Sequence, residues 1–200
     1  MKKVIVATKN RGKVQDFKQL FQRKGYEVIS LLEIPSSPDI DETGTTFVQN
    51  AILKAEGISD ILQTMVIADD SGLSIDALGG KPGIFSARYA GDHKNDEDNL
   101  NKVLKELHGV KEEDRTARFH CALALAVPGR DTITVEGTCE GFITEEPIGD
   151  NGFGYDPIFF VREKNKTMAQ LTKEEKNEIS HRANALRKLE ETMKNIRLGY

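Results

Sequence analysis

The sequence predicts a mixed α/β fold, and three observations carry the prediction. Short apolar strands alternate with amphipathic helical stretches in the first half of the chain, a long alternating hairpin follows, and a helical segment closes it. Parallel-type units followed by a hairpin imply a mixed sheet.

Val4 to Thr8 reads as a short buried strand. From Val14 onward, Val14, Phe17, Leu20 and Phe21 recur at three- to four-residue spacing as far as Gly25, a helix C-cap. After the stretch from Pro35 to Asp41, Thr46-x-x-Gln49 has the form of a capping box, and Phe47, Ala51, Ile52 and Ala55 mark one helical face behind it. Met65 to Ala68 reads as a second strand that ends at Asp69-Asp70-Ser71-Gly72. Gly79 to Gly83 make a loop, and Leu100, Val103, Leu104 and Leu107 define a third helix. Alternation returns from Ala117 to Val127 and again from Ile133 to Cys139, with a turn over Pro128 to Asp131, which makes a hairpin. Thr172-x-x-Glu175 opens the last helical segment, with Leu186, Leu189, Met193 and Ile196 on one face.

The chain has 200 residues, 28 basic and 32 acidic, with a formal charge of −4 and both signs interspersed. Such a surface does not favour a nucleic-acid polyanion, so any nucleotide ligand is expected to be small. The apolar run near the N-terminus is too short for a signal core or a membrane span, and a cytoplasmic protein is expected. Cys121 and Cys139 face each other across the expected hairpin, but two cysteines in a reducing compartment read as buried thiols rather than a disulfide. No repeat or linker divides the chain, so a single domain over residues 1–200 is expected, either one core or a core with a smaller lobe folded onto it.

Five groups of residues could carry chemistry. Thr8-Lys9-Asn10-Arg11-Gly12-Lys13 joins a strand to a helix, where unpaired N–H groups, the dipole and three cations suit phosphate. It is not a Walker A loop, because the first glycine is missing and Val14 stands where a hydroxyl would be. An ordinary solvated turn fits as well. Asp69 and Asp70 follow an apolar strand and suit Mg²⁺, which takes one or two carboxylates and keeps water and phosphate in its other positions; the same residues also fit a plain Asp turn. Glu42 lies in the acidic run Asp39 to Glu42, and sequence pattern does not separate it from its neighbours. In Gly149 to Pro157, Phe153 or Tyr155 could stack on a base or tuck into the core, with Gly154 and Asp156 beside them. Lys176 and Ser180-His181-Arg182 form either a solvated cationic face or a set of donors able to read purine oxo groups.

Taken in order, these motifs resemble one family. Thr8-x-Asn10-x-x-Lys13, Glu42-Thr43-Gly44, Phe47-x-x-Asn50-Ala51-x-x-Lys54-Ala55, Ala68-Asp69-Asp70-Ser71-Gly72, Pro82-Gly83-x-x-Ser86-Ala87-Arg88, Gly152-Phe153-Gly154-Tyr155-Asp156-Pro157 and Ser180-His181-Arg182 are similar to those of the inosine/xanthosine triphosphate pyrophosphatases. The resemblance implies a homodimeric, two-lobed α/β protein with a long central mixed sheet flanked by helices and a nucleotide cleft between lobes. It implies hydrolysis of purine nucleoside triphosphates with Mg²⁺ as cofactor. Thr8 to Lys13 would hold the triphosphate and Ser71 would contact substrate. Glu42 and Asp70 would bind Mg²⁺ with Asp69 in support, and Asp70 would accept the proton. Phe153, Gly154, Tyr155, Asp156, Lys176, His181 and Arg182 would form the base pocket. Two rivals stand beside this: a related pyrophosphatase for modified pyrimidines or methylated nucleotides, and a nucleotide-binding sensor. Tight metal ligation lowers a carboxylate's proton affinity, so Asp69 also stays open as the acceptor.

Overall fold

A computed structural model describes residues 2–9 and 11–195; in its helices the side chains of residues 11, 12, 16, 19 and 195 are also outside the description. Ile196, expected on the last helical face, falls outside the described residues. Among the described residues seven strands form one sheet in the order β2-β1-β3-β4-β5-β6-β7. They are β1 (Lys2–Val6), β2 (Tyr26–Ser30), β3 (Val66–Ile75), β4 (Thr116–Ala126), β5 (Ile133–Ile143), β6 (Phe159–Val161) and β7 (Lys166–Thr167). The α-helices are α1 (Arg11–Gln22), α2 (Phe47–Leu62), α3 (Asp96–Glu106), α4 (Lys173–Ile179) and α5 (His181–Asn195). β1 pairs parallel to both β2 and β3, while β5–β6 and β6–β7 are antiparallel, so the sheet is mixed as the sequence predicts. β4 and β5 are neighbours joined by residues 127–132, too short for a parallel crossover, which makes them the expected hairpin.

The chain divides into two compact units, residues 1–70, 121–137 and 185–200 in the first and 71–120 and 138–184 in the second. In the first unit the runs Val4–Ala7 and Met65–Ala68 are continuously apolar and buried because both of their faces are covered. Val4, Val6, Met65, Ile67, Leu123 and Leu125 pack with Phe17 and Phe21 of α1 and Ala185 and Leu189 of α5. Ile5, Ala7, Val66, Ala68, Ala122 and Ala124 pack with Ala51, Ala55 and Ile58 of α2. Alternate residues of a strand point to opposite faces, so odd positions of β3 meet the α1 layer and even positions the α2 layer. In the second unit Leu73, Ile75, Phe119, Ile143 and Phe159 pack with Leu100, Val103 and Leu107 from α3 and its C-terminal end. Cys121 and Cys139 are buried thiols rather than a disulfide, in the core of the first and of the second unit respectively.

Four local expectations are corrected. β3 does not stop at Ala68 but continues to Ile75, because Gly72, Leu73 and Ile75 are buried and Asp69 is compensated by a lysine. The last helical segment is two helices: Ser180, at ψ 150, ends α4, and its hydroxyl then accepts the Ala183 N–H at 3.2 Å to open α5. The first capping box is shifted by one residue. Thr46 Oγ1 accepts the Gln49 N–H at 3.1 Å, but the Gln49 side chain accepts from the Thr45 N–H at 2.8 Å rather than from Thr46. At the end of α1, the helix closes at Gln22, and Gly25 follows at φ +79 with its N–H on the Gln22 carbonyl. The Thr172–Glu175 box is present in full.

Candidate functional site

In the first unit, β3, α1, α2 and the segment before α2 bring together three carboxylates and two lysines. Asp69 is at an odd position of β3 and so faces the α1 layer, where the Lys13 ammonium lies 2.5 Å from its Oδ2. Asp69 is only 3% exposed, and a carboxylate that deep needs a cation. Asp70, at the next position, turns to the α2 layer, where Asn50 Nδ2 donates to its Oδ2 at 3.1 Å. Asn50 is itself 1% exposed, and its Oδ1 accepts the Gly44 N–H at 2.8 Å, which fixes the amide with its NH₂ toward Asp70.

Lys54, one turn after Asn50 on α2, joins the group together. Its ammonium forms an ion pair with Glu42 and donates to the Asp69 carbonyl at 3.1 Å. Burial opposes its charge, yet the bond to Glu42 and the fields of Asp69, Glu42 and Asp70 outweigh that and raise its pKa. Asp70 carries the opposite imbalance. Burial, with the negative charge of Glu42 and Asp69 added, pushes its pKa from 3.8 up to about 6, although Asn50 and Lys54 pull the other way. Lys54 is not among the residues that the sequence singles out for chemistry; an isolated lysine on a helix gives no signal until the fold sets it against Glu42. The same ion pair is what separates Glu42 from Asp39 and Asp41.

Among the described residues no three His, Cys, Asp or Glu side chains form a ready-made metal cage. A hard cation of the Mg²⁺ type needs only one or two carboxylates. Glu42 and Asp70 provide oxygen donors, and the pKa of Asp70, raised first by burial and then by the charges of Glu42 and Asp69, is one that a cation beside it would lower.

Of the expected phosphate segment, Thr8 and Lys9 lie between β1 and α1, Lys9 exposed, and Lys13 is in the first turn of α1. Arg11 and Gly12 open α1 with their side chains outside the description, and Asn10 lies outside the described residues. Ser71 follows Asp70 on β3, partly buried.

The expected base residues all belong to the second unit, and Phe153, Asp156 and Lys176 meet one another there. Phe153 is 56% exposed, flanked by Gly152 at φ +82 and Gly154 at φ +61. A Cβ on Gly152 would lie 2.0 Å from Asp156 Oδ2, so this position admits only glycine. Asp156, 4% exposed, accepts the Phe153 N–H at 3.0 Å and pairs with Lys176, whose ammonium stands 5.4 Å from the Phe153 ring centroid. Tyr155 corrects the expectation that either aromatic could stack on a base: it is buried, with its hydroxyl donating to the Ser86 carbonyl at 2.8 Å, and burial raises its pKa beyond the usual tyrosine value. His181 is buried too, its ring stacked on Phe119 at 4.9 Å between centroids, while Arg182 is partly buried beside it at the start of α5.

Comparison with known proteins identifies the family. The model of the Ham1 family matches residues 4–192. A dITP/XTP pyrophosphatase of Geobacillus kaustophilus is 60% identical over 196 residues, covering 98% of this chain and 96% of its own. A dITP/XTP pyrophosphatase of Bacillus subtilis is 60% identical over 189 residues, 94% of this chain and 96% of its own. The structure of the Staphylococcus aureus Ham1 protein superposes with a TM-score of 0.91 at 47% identity, covering 97% of this chain and 99% of that one. By the family model and by superposition with a Ham1 structure, this chain belongs to the Ham1 family.

Proposed function

We propose that the chain is a Mg²⁺-dependent pyrophosphatase for the non-standard purine nucleoside triphosphates dITP, ITP and XTP, giving the monophosphate and pyrophosphate and so keeping these nucleotides out of DNA and RNA. The observation that carries the proposal is Asp70: a half-shielded carboxylate with a pKa of about 6 in the fields of Glu42 and Lys54, next to an Asp69 paired with Lys13, in a family whose relatives bear the name dITP/XTP pyrophosphatase.

Glu42 and Asp70 would hold Mg²⁺, with Asp69 in support. Bound there, the ion would neutralise the polyphosphate and orient a water. Asp70 accepts the proton of that water as its oxygen forms a bond to the α-phosphorus; the α–β anhydride bond breaks and its electron pair leaves with pyrophosphate. Asp69, already committed to Lys13, is the poorer acceptor. Thr8 to Lys13 bind the phosphates, Ser71 contacts substrate, and Lys13 and Lys54 stabilise charge that gathers on the leaving group.

Base recognition falls to the second unit. Phe153 stacks on the purine, and Lys176, His181 and Arg182 present donors to its oxo groups. Adenine and guanine each put an amino group where inosine or xanthine has an oxo group or hydrogen, and a donor left facing an amino group is unpaired. Discrimination on the order of 10⁴-fold can follow from such mismatches. We propose a cytoplasmic homodimer as the working form, on family likeness; among the described residues no helix is long and apolar enough to cross a membrane.

The test is release of pyrophosphate from ITP with and without Mg²⁺. Mg²⁺-dependent pyrophosphate with inosine monophosphate as co-product supports the proposal. Orthophosphate as the first product, or binding without turnover as a sensor would show, contradicts it.

A further inference from the structure

We propose that Asp96, on α3, is a positioning residue for base recognition: its carboxylate holds the loop that presents the Phe153 ring. The inference rests on the reading of Phe153 as the stacking platform.

An aromatic ring between two glycines has little reason to stay in water. It gains free energy by burial, and glycines at φ +82 and +61 leave the backbone on each side free to turn it inward. Phe153 nevertheless remains 56% exposed. The segment around it is tied at several points within the second unit. Before it, the Asn151 N–H donates to the Ala169 carbonyl at 3.0 Å; after it, Tyr155 is buried and bound to Ser86. Between these anchors, two successive amides each meet a carboxylate. The Phe153 N–H donates to Asp156 Oδ2 at 3.0 Å and the Gly154 N–H to Asp96 Oδ2 at 2.9 Å.

These two carboxylates differ in kind. Asp156 is buried, bound to Lys176 and part of the expected base pocket. Asp96 comes from another element and is not needed there as a cap, because Asn95 caps α3 by accepting the Asp98 N–H at 3.0 Å. Glu97 and Asp98 already place acidic residues in the first turn. What Asp96 adds is a fixed point on Gly154, the residue whose rotation would swing the ring.

The test compares Asp96→Ala, Asp96→Asn and Phe153→Ala with the wild type. Solvent paramagnetic relaxation of the Phe153 ring protons reads exposure directly: it is expected to be equal in the wild type and Asp96→Asn, whose side-chain carbonyl still accepts the Gly154 N–H, and to fall in Asp96→Ala. In steady-state kinetics with ITP, loss of base stacking in Phe153→Ala corresponds to roughly a five- to hundred-fold rise in KM. Asp96→Ala is expected to raise KM about five- to tenfold with kcat within about twofold, and Asp96→Asn to restore it. In the Phe153→Ala background Asp96→Ala should add less than about twofold, because both act through one ring. Unchanged ring exposure in Asp96→Ala, or full additivity of the two substitutions, overturns the inference. If the wild type releases no pyrophosphate from ITP, the proposed function fails while the ring measurement still decides the role of Asp96.

Discussion

Replacing Asp70 by Asn should make the metal-free protein more stable while disabling it. In the folded chain the Asp70 pKa is about 6 against 3.8 for an unperturbed aspartate, so its ionised form is disfavoured by about two units. At 1.36 kcal/mol per unit this is at most about 3 kcal/mol, and about 1–3 kcal/mol after allowance for screening by solvent. The sign follows from proton binding. Between pH 3.8 and about 6 the folded state holds the proton and the unfolded state has lost it, so wild-type stability falls as pH rises through that window. Above it the full penalty is present. The amide introduced by Asp70→Asn would have no charge to desolvate, and its carbonyl can still accept from Asn50. In EDTA at pH 8 the variant should therefore melt roughly 2–12 °C above wild type, at 2–4 °C per kcal/mol for a chain of this size. The difference should shrink toward zero as pH falls from 6 to 4. Mg²⁺ should raise the wild-type Tm, by about 2.7 kcal/mol of stability at a hundredfold excess over Kd, and leave the variant nearly unmoved. Differential scanning calorimetry across pH and Mg²⁺ measures all three. A variant that melts below wild type at pH 8 in EDTA, or a difference independent of pH, would refute the reasoning.

Three further outcomes follow from the same geometry. At saturating Mg²⁺, Asp70→Asn should lose roughly 10²- to 10⁴-fold in kcat, the usual contribution of a positioned base; near-normal turnover removes Asp70 from that role. Gly152→Ala places a Cβ 2.0 Å from Asp156 Oδ2 at φ +82, so urea unfolding should show a loss of about 1–3 kcal/mol or more, and KM for ITP should rise; a neutral substitution would mean that the loop is not held as described. Arg182→Ala should narrow the preference for ITP over GTP in kcat/KM, and an unchanged ratio excludes Arg182 from reading the base.

Much of the fold is legible in the sequence because burial writes it there. The unbroken apolar runs of β1 and β3 reflect a sheet covered on both faces, and the alternation from Thr116 to Ile143 reflects the hairpin. β2 is not legible in the same way, although Tyr26, Val28 and Ser30 alternate as buried positions, because five residues directly after a helix give little pattern. β3 reads as finished at Asp69 because paired acids normally mark a surface turn; the strand continues because the residues after them are buried and because Lys13 and Asn50 meet the acids from elements far away in sequence. The site divides the same way. Asp69, Asp70 and the Phe153 loop are visible as local patterns, whereas Glu42 and Lys54 acquire meaning only from each other across the fold. Tyr155 and Phe153 are indistinguishable in sequence, and the Ser86 carbonyl draws one of them inward.

The most direct measurement of the central claim is pyrophosphate release at fixed Mg²⁺ across ITP, dITP, XTP, ATP, GTP and the pyrimidine triphosphates. The account predicts kcat/KM for ITP, dITP and XTP on the order of 10⁴-fold above ATP and GTP, with pyrophosphate as the product. Comparable values for the standard purines, or a preference for a pyrimidine, would contradict it.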